Sequence, residues 1–385
     1  MFHVASIEEI KKGKTTDVYF VRTLQVLRAK GIDKRVKAEF IAKKLPHNWP
    51  WAVLAGLEEC MEIFRELPVT VRSVPEGTVF RPYEPVMEIE GNYTEFGAYE
   101  TALLGMLCQA SGVATKAARL RKLAEDRTLI SFGGRRVHPA IAPMVERNAY
   151  IGGCDGVAIV KSAELIGEEP SGTIPHALIL MMGSTVEAVR AFHEVIEPKV
   201  KRVALIDTFN DEKFEAINVA EDAGDFLYAM RLDTPGSRKG DFLRILEEVR
   251  WELNLRGYQR IKLFVSGGLD EDDVLRLNPV VDGYGIGTSM SNARVVDFAM
   301  DIMEIEGEPI AKRGKMSGSK RVLRCRKCHQ DQIIPLTQKS ARCTCGGKLF
   351  DLLMPLVKKG RLVKKQPSHK EIRKYVLRQL KNFPL

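Results

Sequence analysis

Two glycine-rich loops, Ser266-Gly267-Gly268 and Gly285-Ile286-Gly287-Thr288-Ser289, follow one another closely, each behind a short apolar run. Glycine lets a backbone approach a ligand, and successive N–H groups in such turns can point at one anion, so the pair could cradle a phosphate. Either loop alone would be an ordinary tight turn between strand and helix. Polar residues gather beside other apolar runs upstream: Phe132-Gly133-Gly134-Arg135-Arg136-Val137-His138, Cys154-Asp155, Ser171-Gly172-Thr173-Ile174-Pro175-His176, Asp207-Thr208 and Arg231-Leu232-Asp233-Thr234. Arginine grips a carboxylate with two parallel hydrogen bonds, and a strand-end aspartate can hold ribose hydroxyls or Mg2+. A phosphate cradle with arginines, a histidine and two aspartates suits a sugar phosphate and a second anionic substrate. Singly, each residue has a plainer reading: Arg136 as a surface ion pair, Asp207 as a cap for its own loop, His176 as a packed histidine and Tyr19 as core or interface.

A second constellation lies near the C-terminus. Cys325-x2-Cys328 and Cys343-x-Cys345, followed by Gly346-Gly347, offer four thiolates in two close pairs. Such a set closes the shell of a tetrahedral structural Zn2+. His329 is an alternative ligand for one position. The remaining cysteines, Cys60, Cys108 and Cys154, are scattered in apolar surroundings, which argues against a disulfide framework.

The elements that must position these groups follow two rhythms. Residues 1–66 read as mainly helical, then Val69–Val71, Thr78–Phe80 and Val86–Glu90 read as a meander of short strands, with helices over about 95–110 and 115–125. From residue 128, apolar runs at Leu129–Phe132, Gly156–Ile159, Ala177–Met181, Val203–Ile206, Leu227–Arg231, Ile261–Val265 and Gly283–Ile286 alternate with helical stretches. Seven such runs fit a buried parallel sheet, closed or nearly closed into an α/β barrel, in which reactive groups collect at the C-terminal ends of the strands. No G-x-G-x-x-G follows an early strand, as a doubly wound nucleotide-binding sheet would want. The expected organisation is an N-terminal α+β sandwich domain over 1–115, the barrel over 116–295, a return segment over 296–324 and a small zinc-binding basic domain over 325–385.

Composition sets the outer bounds. The chain has 385 residues, 45% hydrophobic and 28% charged, with net charge +9. From Lys312 onward 21 Lys/Arg face only Asp331, Asp351 and Glu371, so that tail carries +18 and residues 1–311 carry −9. A zinc ribbon with a basic tail also suits nucleic acid, so an RNA-binding barrel is the alternative of another class. Only Tyr375 and Phe383 interleave with the charges beyond Lys358, which weakens a stacking mode, and a solvated helix packing on the protein itself is preferred. No apolar run reaches the roughly 18 residues of a membrane span, and no apolar leader opens the sequence, so the expectation is a cytoplasmic protein with no membrane partner.

Taken in order, Thr16-Asp17-Val18-Tyr19, FGGRR at 132–136, GTIPH at 172–176, IDT at 206–208, RLDT at 231–234, SGGLD at 266–270 and GIGT at 285–288 resemble the motifs of nicotinate phosphoribosyltransferases. EPVMEIEG at 84–91 and SGVAT at 111–115 are similar to the quinolinate and nicotinate branch of the type II phosphoribosyltransferases. The resemblance implies an irregular (β/α) barrel and condensation of nicotinate with phosphoribosyl pyrophosphate, giving nicotinate mononucleotide and pyrophosphate in NAD biosynthesis. Quinolinate and nicotinamide are the alternative bases. It further implies that Tyr19 lies against the pyridine ring across a homodimer interface and that Phe132 and Arg135 line the ring pocket. Thr173 and Arg231 would bind nicotinate, and Asp207 and Asp233 would face ribose and Mg2+. Ser266, Gly267, Gly268, Gly287 and Thr288 would hold the 5′-phosphate. His176 matches the histidine that family members phosphorylate with ATP. The chain departs from the pattern at Pro235-Gly236-Ser237-Arg238-Lys239-Gly240-Asp241, an insertion in the family's Asp-Ser-Gly-Asp, which leaves the second aspartate unassigned.

Overall fold

A computed structural model describes residues 2–339 and 341–385. The chain forms two compact units, one of residues 1–115 and 294–385 and the other of residues 116–293.

The second unit carries the alternating rhythm. Its strands are β1 (Thr128–Ser131), β2 (Gly156–Val157), β3 (Val203–Leu205), β4 (Ala229–Leu232), β5 (Lys262–Val265) and β6 (Gly283–Ile286). They pair in parallel in the order β2-β1-β6-β5-β4-β3. All residues of β3, β4 and β6 are buried, as expected of parallel strands covered on both faces. The sheet curls into a half-barrel, and among the described residues its edge strands β2 and β3 do not pair with each other.

The Ser171–Ile174 segment spans that seam. The Ser171 N–H donates to Val157 O of β2 at 2.8 Å, and the Ile174 N–H donates to Val203 O of β3 at 3.2 Å. The expected strand Ala177–Met181 is instead part of the helix His176–Met182. Its apolar run satisfies either period over so short a length, and only Ile179 is buried; Leu180 and Met181 are exposed. The other six expected runs overlap the six strands, with β1 starting one residue earlier and β4 ending one residue later than expected. Elsewhere local signals and structure coincide: Asp270 caps the helix Glu271–Leu277 in a capping box with Asp273, and Phe242, Leu246, Val249 and Leu253 form the buried stripe of the helix Phe242–Leu255.

The first unit is built on a seven-stranded antiparallel sheet. Its order is Glu308–Pro309, Phe298–Ile305, Arg35–Ala42, Pro85–Asn92, Thr70–Ser73, Met354–Lys358 and Arg361–Leu362. Leu57, Met61 and Phe64 of the helix Leu57–Phe64 pack on it with Leu103 and Leu107. The expectation of mainly helical structure over 1–66 fails at Arg35–Ala42, a central strand. Arg35-Val36-Lys37-Ala38-Glu39-Phe40 alternates polar and apolar residues at the strand period, which outweighs the helical expectation; Lys37 and Glu39 pair with Glu304 and Lys320, each at 2.8 Å. Partners more than 260 residues away leave no local trace. The helices expected over 95–110 and 115–125 are largely one helix, Glu100–Ala124.

The basic tail ends in the helix His369–Leu380, opened by a capping box of Ser368 and Glu371. It buries Ile372, Val376 and Leu380, and Phe383 lies under the guanidinium groups of Arg81 and Arg324 at 4.8 and 5.1 Å. The tail therefore uses an apolar stripe to dock within its own unit.

Candidate functional site

The C-terminal ends of the barrel strands bring most of the singled-out residues together. Phe132 and Arg135 after β1, Thr173 in the seam segment, His176 at the start of its helix, and Arg231 and Asp233 at the end of β4 line one cavity of about 460 Å³. Gly285 is required by this packing: a β-carbon there would lie 2.1 Å from Cε2 of the Phe132 ring.

Arg231 is the buried cation of the cavity, 8% exposed. Its Nη1 donates to Ser266 Oγ at 2.8 Å, Ser266 Oγ donates to Asp233 Oδ1 at 2.8 Å, and Nη1 lies 3.5 Å from Asp233 Oδ2. Burial pulls the Arg231 guanidinium below its ordinary pKa, opposed by the charges of Asp233 and Asp207. Asp207 Oδ2 accepts the Asp233 N–H at 3.2 Å rather than capping its own loop. Burial raises the Asp207 carboxyl pKa, while the nearby His176 opposes the shift. Arg231 Nε and Asp207 Oδ1 are buried without a protein partner, which marks polar demand that a ligand can meet. His176 Nδ1 is 2.9 Å from Thr208 Oγ1, and its Nε2 is 4.0 Å from Asp233 Oδ2.

The two glycine loops adjoin. Ser289 Oγ donates to Leu269 O at 2.8 Å, tying one to the other. Among the described residues the N–H groups of Gly267, Gly268 and Thr288 donate to no protein acceptor. Gly267 has φ +87°, and a β-carbon on it would lie 2.9 Å from Asp233 Oδ1, so the loop and the end of β4 are fitted together. Ser266 differs from its neighbours. Its N–H is used by Leu232 O and its hydroxyl by Arg231 and Asp233.

The positions of Lys239 and Glu146 escaped sequence reasoning. Lys239, inside the insertion, donates from Nζ to Gly267 O at 2.5 Å, and burial lowers its pKa. The doublet Arg238-Lys239 beside the glycine loop was the available signal. Asp241 of the same insertion caps the helix Phe242–Leu255. Glu146, fully buried, accepts from the N–H groups of Ala158 and Ile159 at 3.3 and 2.9 Å, lines the cavity, and has its pKa raised by burial. A lone acid on the inner face of a helix was its only trace.

Tyr19 belongs to the other unit, on the helix Val18–Ala29, where it is 57% exposed next to the exposed Val18 and Val21. The four C-terminal cysteines converge, with sulfur atoms within 4.8 Å of one another and three pairs at 3.4–3.5 Å. A tetrahedron of ~2.3 Å Zn–S bonds has edges of about 3.8 Å, so the donor set and spacing fit a metal ion. His329 is not part of the cluster. Among the described residues no helix is long and apolar enough to cross a membrane.

Comparison with known proteins agrees with this architecture. Residues 17–111 match the N-terminal domain of quinolinate phosphoribosyl transferase, and residues 113–301 match its C-terminal domain. A nicotinate phosphoribosyltransferase of Mycobacterium tuberculosis is 30% identical, over 80% of this chain and 76% of its own length. The crystal structure of nicotinate-nucleotide pyrophosphorylase from Pyrococcus furiosus is 53% identical, covers 100% of this chain and 99% of its own, and superposes with a TM-score of 0.98. The human nicotinic acid phosphoribosyltransferase structure, at 20% identity, shares the fold with a TM-score of 0.77 over 96% of this chain and 94% of its own. The paired family domains and the half-barrel that carries both glycine loops make this chain a member of the type II phosphoribosyltransferases, enzymes of phosphoribosyl transfer in NAD biosynthesis.

Proposed function

We propose that the chain transfers the ribosyl 5-phosphate group of phosphoribosyl pyrophosphate to nicotinate, giving nicotinate mononucleotide and pyrophosphate. The observation that carries this reading is the buried Arg231, with its unpartnered Nε, beside Phe132 in a cavity of about 460 Å³. One buried planar cation beside one aromatic ring, with the second arginine of the lining, Arg135, exposed, suits an aromatic monocarboxylate. Quinolinate, with a second carboxylate, would want further buried cations, whereas the other buried charge lining this cavity is the acid Glu146. The name of the mycobacterial relative supports nicotinate as well.

The remaining roles follow from position. Gly267, Gly268, Gly287 and Thr288 hold the 5′-phosphate through their loops, and Thr173 and Arg135 complete the nicotinate pocket. Ser266 acts through Arg231 and Asp233 instead of on phosphate. Asp233, held by Ser266 and adjacent to His176, stabilises the positive charge that develops on the ribose as its bond to pyrophosphate breaks. Asp207, with an unpartnered Oδ1, and Asp233 are the residues that would hold Mg2+, which neutralises the leaving pyrophosphate when bound. ATP enters as phosphoryl donor to His176 Nε2, with ADP leaving; the Thr208 contact to Nδ1 fixes the ring for that step. The metal of the cysteine cluster is a structural zinc. Tyr19, exposed on an apolar helix face, contributes to the site of a second copy in a homodimer.

The test is product formation from phosphoribosyl pyrophosphate with nicotinate, quinolinate or nicotinamide, each with and without ATP. Turnover of nicotinate with ADP release supports the reading. CO2 release from quinolinate at higher efficiency overturns it. An absence of turnover combined with salt-sensitive RNA retention would favour the RNA-binding alternative.

A further inference from the structure

The half-barrel has a second cavity at the opposite end of its strands. It encloses about 390 Å³ and is lined by Thr128 at the start of β1, Gly156 at the start of β2, Lys201 before β3 and Tyr228 before β4. Its floor is apolar: Phe264, Val203 and Ala229 form a buried cluster on which Ile130 and Tyr228 pack. The seam residues Ser171, Gly172 and Thr173 line this cavity and also the cavity that holds Arg231. One three-residue segment is therefore a wall of both.

The charges around Tyr228 are unbalanced. Lys201 Nζ lies 4.3 Å and Lys262 Nζ 5.2 Å from the centroid of its ring. Among the described residues no carboxylate lies within ion-pair distance of either ammonium group. The nearby acids are otherwise engaged, Glu169 with Lys199 at 3.0 Å and Asp155 with Arg121 at 2.6 Å. Burial raises the pKa of the Tyr228 phenol, but hydrogen bonding and charge from Lys201 and Lys262 outweigh it and leave the pKa lowered. Two ammonium groups around one ring, beside an apolar floor, repel each other unless an anion joins them. They match a ligand with an anionic head and a flat apolar body.

We propose that this mouth of the barrel binds an organic anion, with a carboxylate or phosphate head between Lys201 and Lys262 and its body against Tyr228 and Phe264, and that occupancy alters nicotinate binding through Ser171–Thr173. The site stands on its own geometry; the effect on nicotinate rests on the proposed function. Benzoate and phenyl phosphate are suitable probes because they share a body and differ in head, which separates the two anion classes. Calorimetric titration of the full chain should show a site that Lys201→Met/Lys262→Met weakens by at least about tenfold, the scale of a charge-assisted bond. The tyrosinate absorbance gives a second readout. Bound probe should raise the pH of the earliest tyrosinate transition, and Tyr228→Phe should abolish that transition.

Saturating probe should change the KM for nicotinate at least about threefold in the wild type by a route that the double variant loses, whereas competition at the Arg231 cavity would persist in it. Unchanged probe affinity in a folded double variant overturns the site. Binding that the double variant weakens, with a KM effect equal in both proteins, overturns the coupling. Should no pyridine base turn over, the calorimetry and the tyrosinate signal still decide whether the site exists.

Discussion

At the residue scale, Arg231 has two duties. It is the buried cation facing the cavity, and it holds Ser266 and, through it, Asp233. Lysine keeps the charge but lacks the planar fork, so Arg231→Lys should lower kcat/KM for nicotinate by about a hundredfold or more, near 2.7 kcal/mol in transition-state terms. A variant that turns nicotinate over at near wild-type efficiency would remove Arg231 from the substrate contacts. Lys239 makes the opposite prediction. Its Nζ rests on Gly267 O of the loop proposed to hold the 5′-phosphate, so Lys239→Met should raise the KM for phosphoribosyl pyrophosphate by about tenfold, roughly 1.4 kcal/mol, with the KM for nicotinate steady. Steady-state kinetics with each substrate varied in turn checks both. Arg231 was legible in the sequence because RLDT closes an apolar run. Lys239 was not, because an insertion in a motif does not reveal which way its side chains turn back.

At the element scale, the seam segment and Gly285 carry the argument. Six apolar runs are strands because four or five apolar residues buried on both faces leave few alternatives in a repeating chain. The seventh is a helix, since ALILM fits both periods and the deciding hydrogen bonds, from Ser171 and Ile174 to the two edge strands, come from residues just before it. The motif GTIPH therefore bridges the sheet edges and starts a helix, which brings Thr173 and His176 into the cavity together. Gly285 shows how closely neighbouring elements are fitted. Gly285→Ala forces the Phe132 ring to move, so it should destabilise the barrel by ~1–3 kcal/mol and weaken nicotinate binding more than phosphoribosyl pyrophosphate binding. Thermal unfolding and separate binding titrations measure the two effects. An alanine variant with wild-type stability and nicotinate affinity would mean that the ring moves aside without cost.

At the scale of the whole molecule, the sequence revealed more of the second unit than of the first, because parallel strands and their helices are consecutive, whereas the antiparallel sheet joins residues from both ends of the chain. Glu84 belongs to that long-range assembly. It is 5% exposed, and its Oε2 accepts the Arg81 N–H at 2.9 Å. Arg81 and Arg324 both pair with Asp331. Burial, reinforced by the charge of Asp331, pushes the Glu84 pKa up to about 8. The folded state therefore holds a proton that the unfolded chain, with a carboxyl pKa near ~4.3, releases. Between those two values the unfolded state binds fewer protons, so the contribution of this group to stability declines as pH rises from about 4.5 to 8. Glu84→Gln keeps a neutral polar side chain in place and removes the ionisation. It should raise the melting temperature at pH 8 by a few degrees, on the order of 1–2 kcal/mol, and change it little at pH 4, where the wild-type carboxyl is already protonated. Thermal unfolding across that range decides the point: a Gln variant equally or less stable at pH 8 would mean that Arg81 and Arg324 hold Glu84 as a carboxylate. Chelation separates this effect from that of the cysteine cluster, which lies among the strands Lys320–Cys325, Asp331–Pro335 and Leu349–Asp351. Metal removal should raise hydrogen exchange over residues 325–350 at every pH and leave residues 116–293 protected, because the thiolates close only the small sheet around them. Exchange that rose equally across the barrel would instead make the metal a keystone of the entire chain.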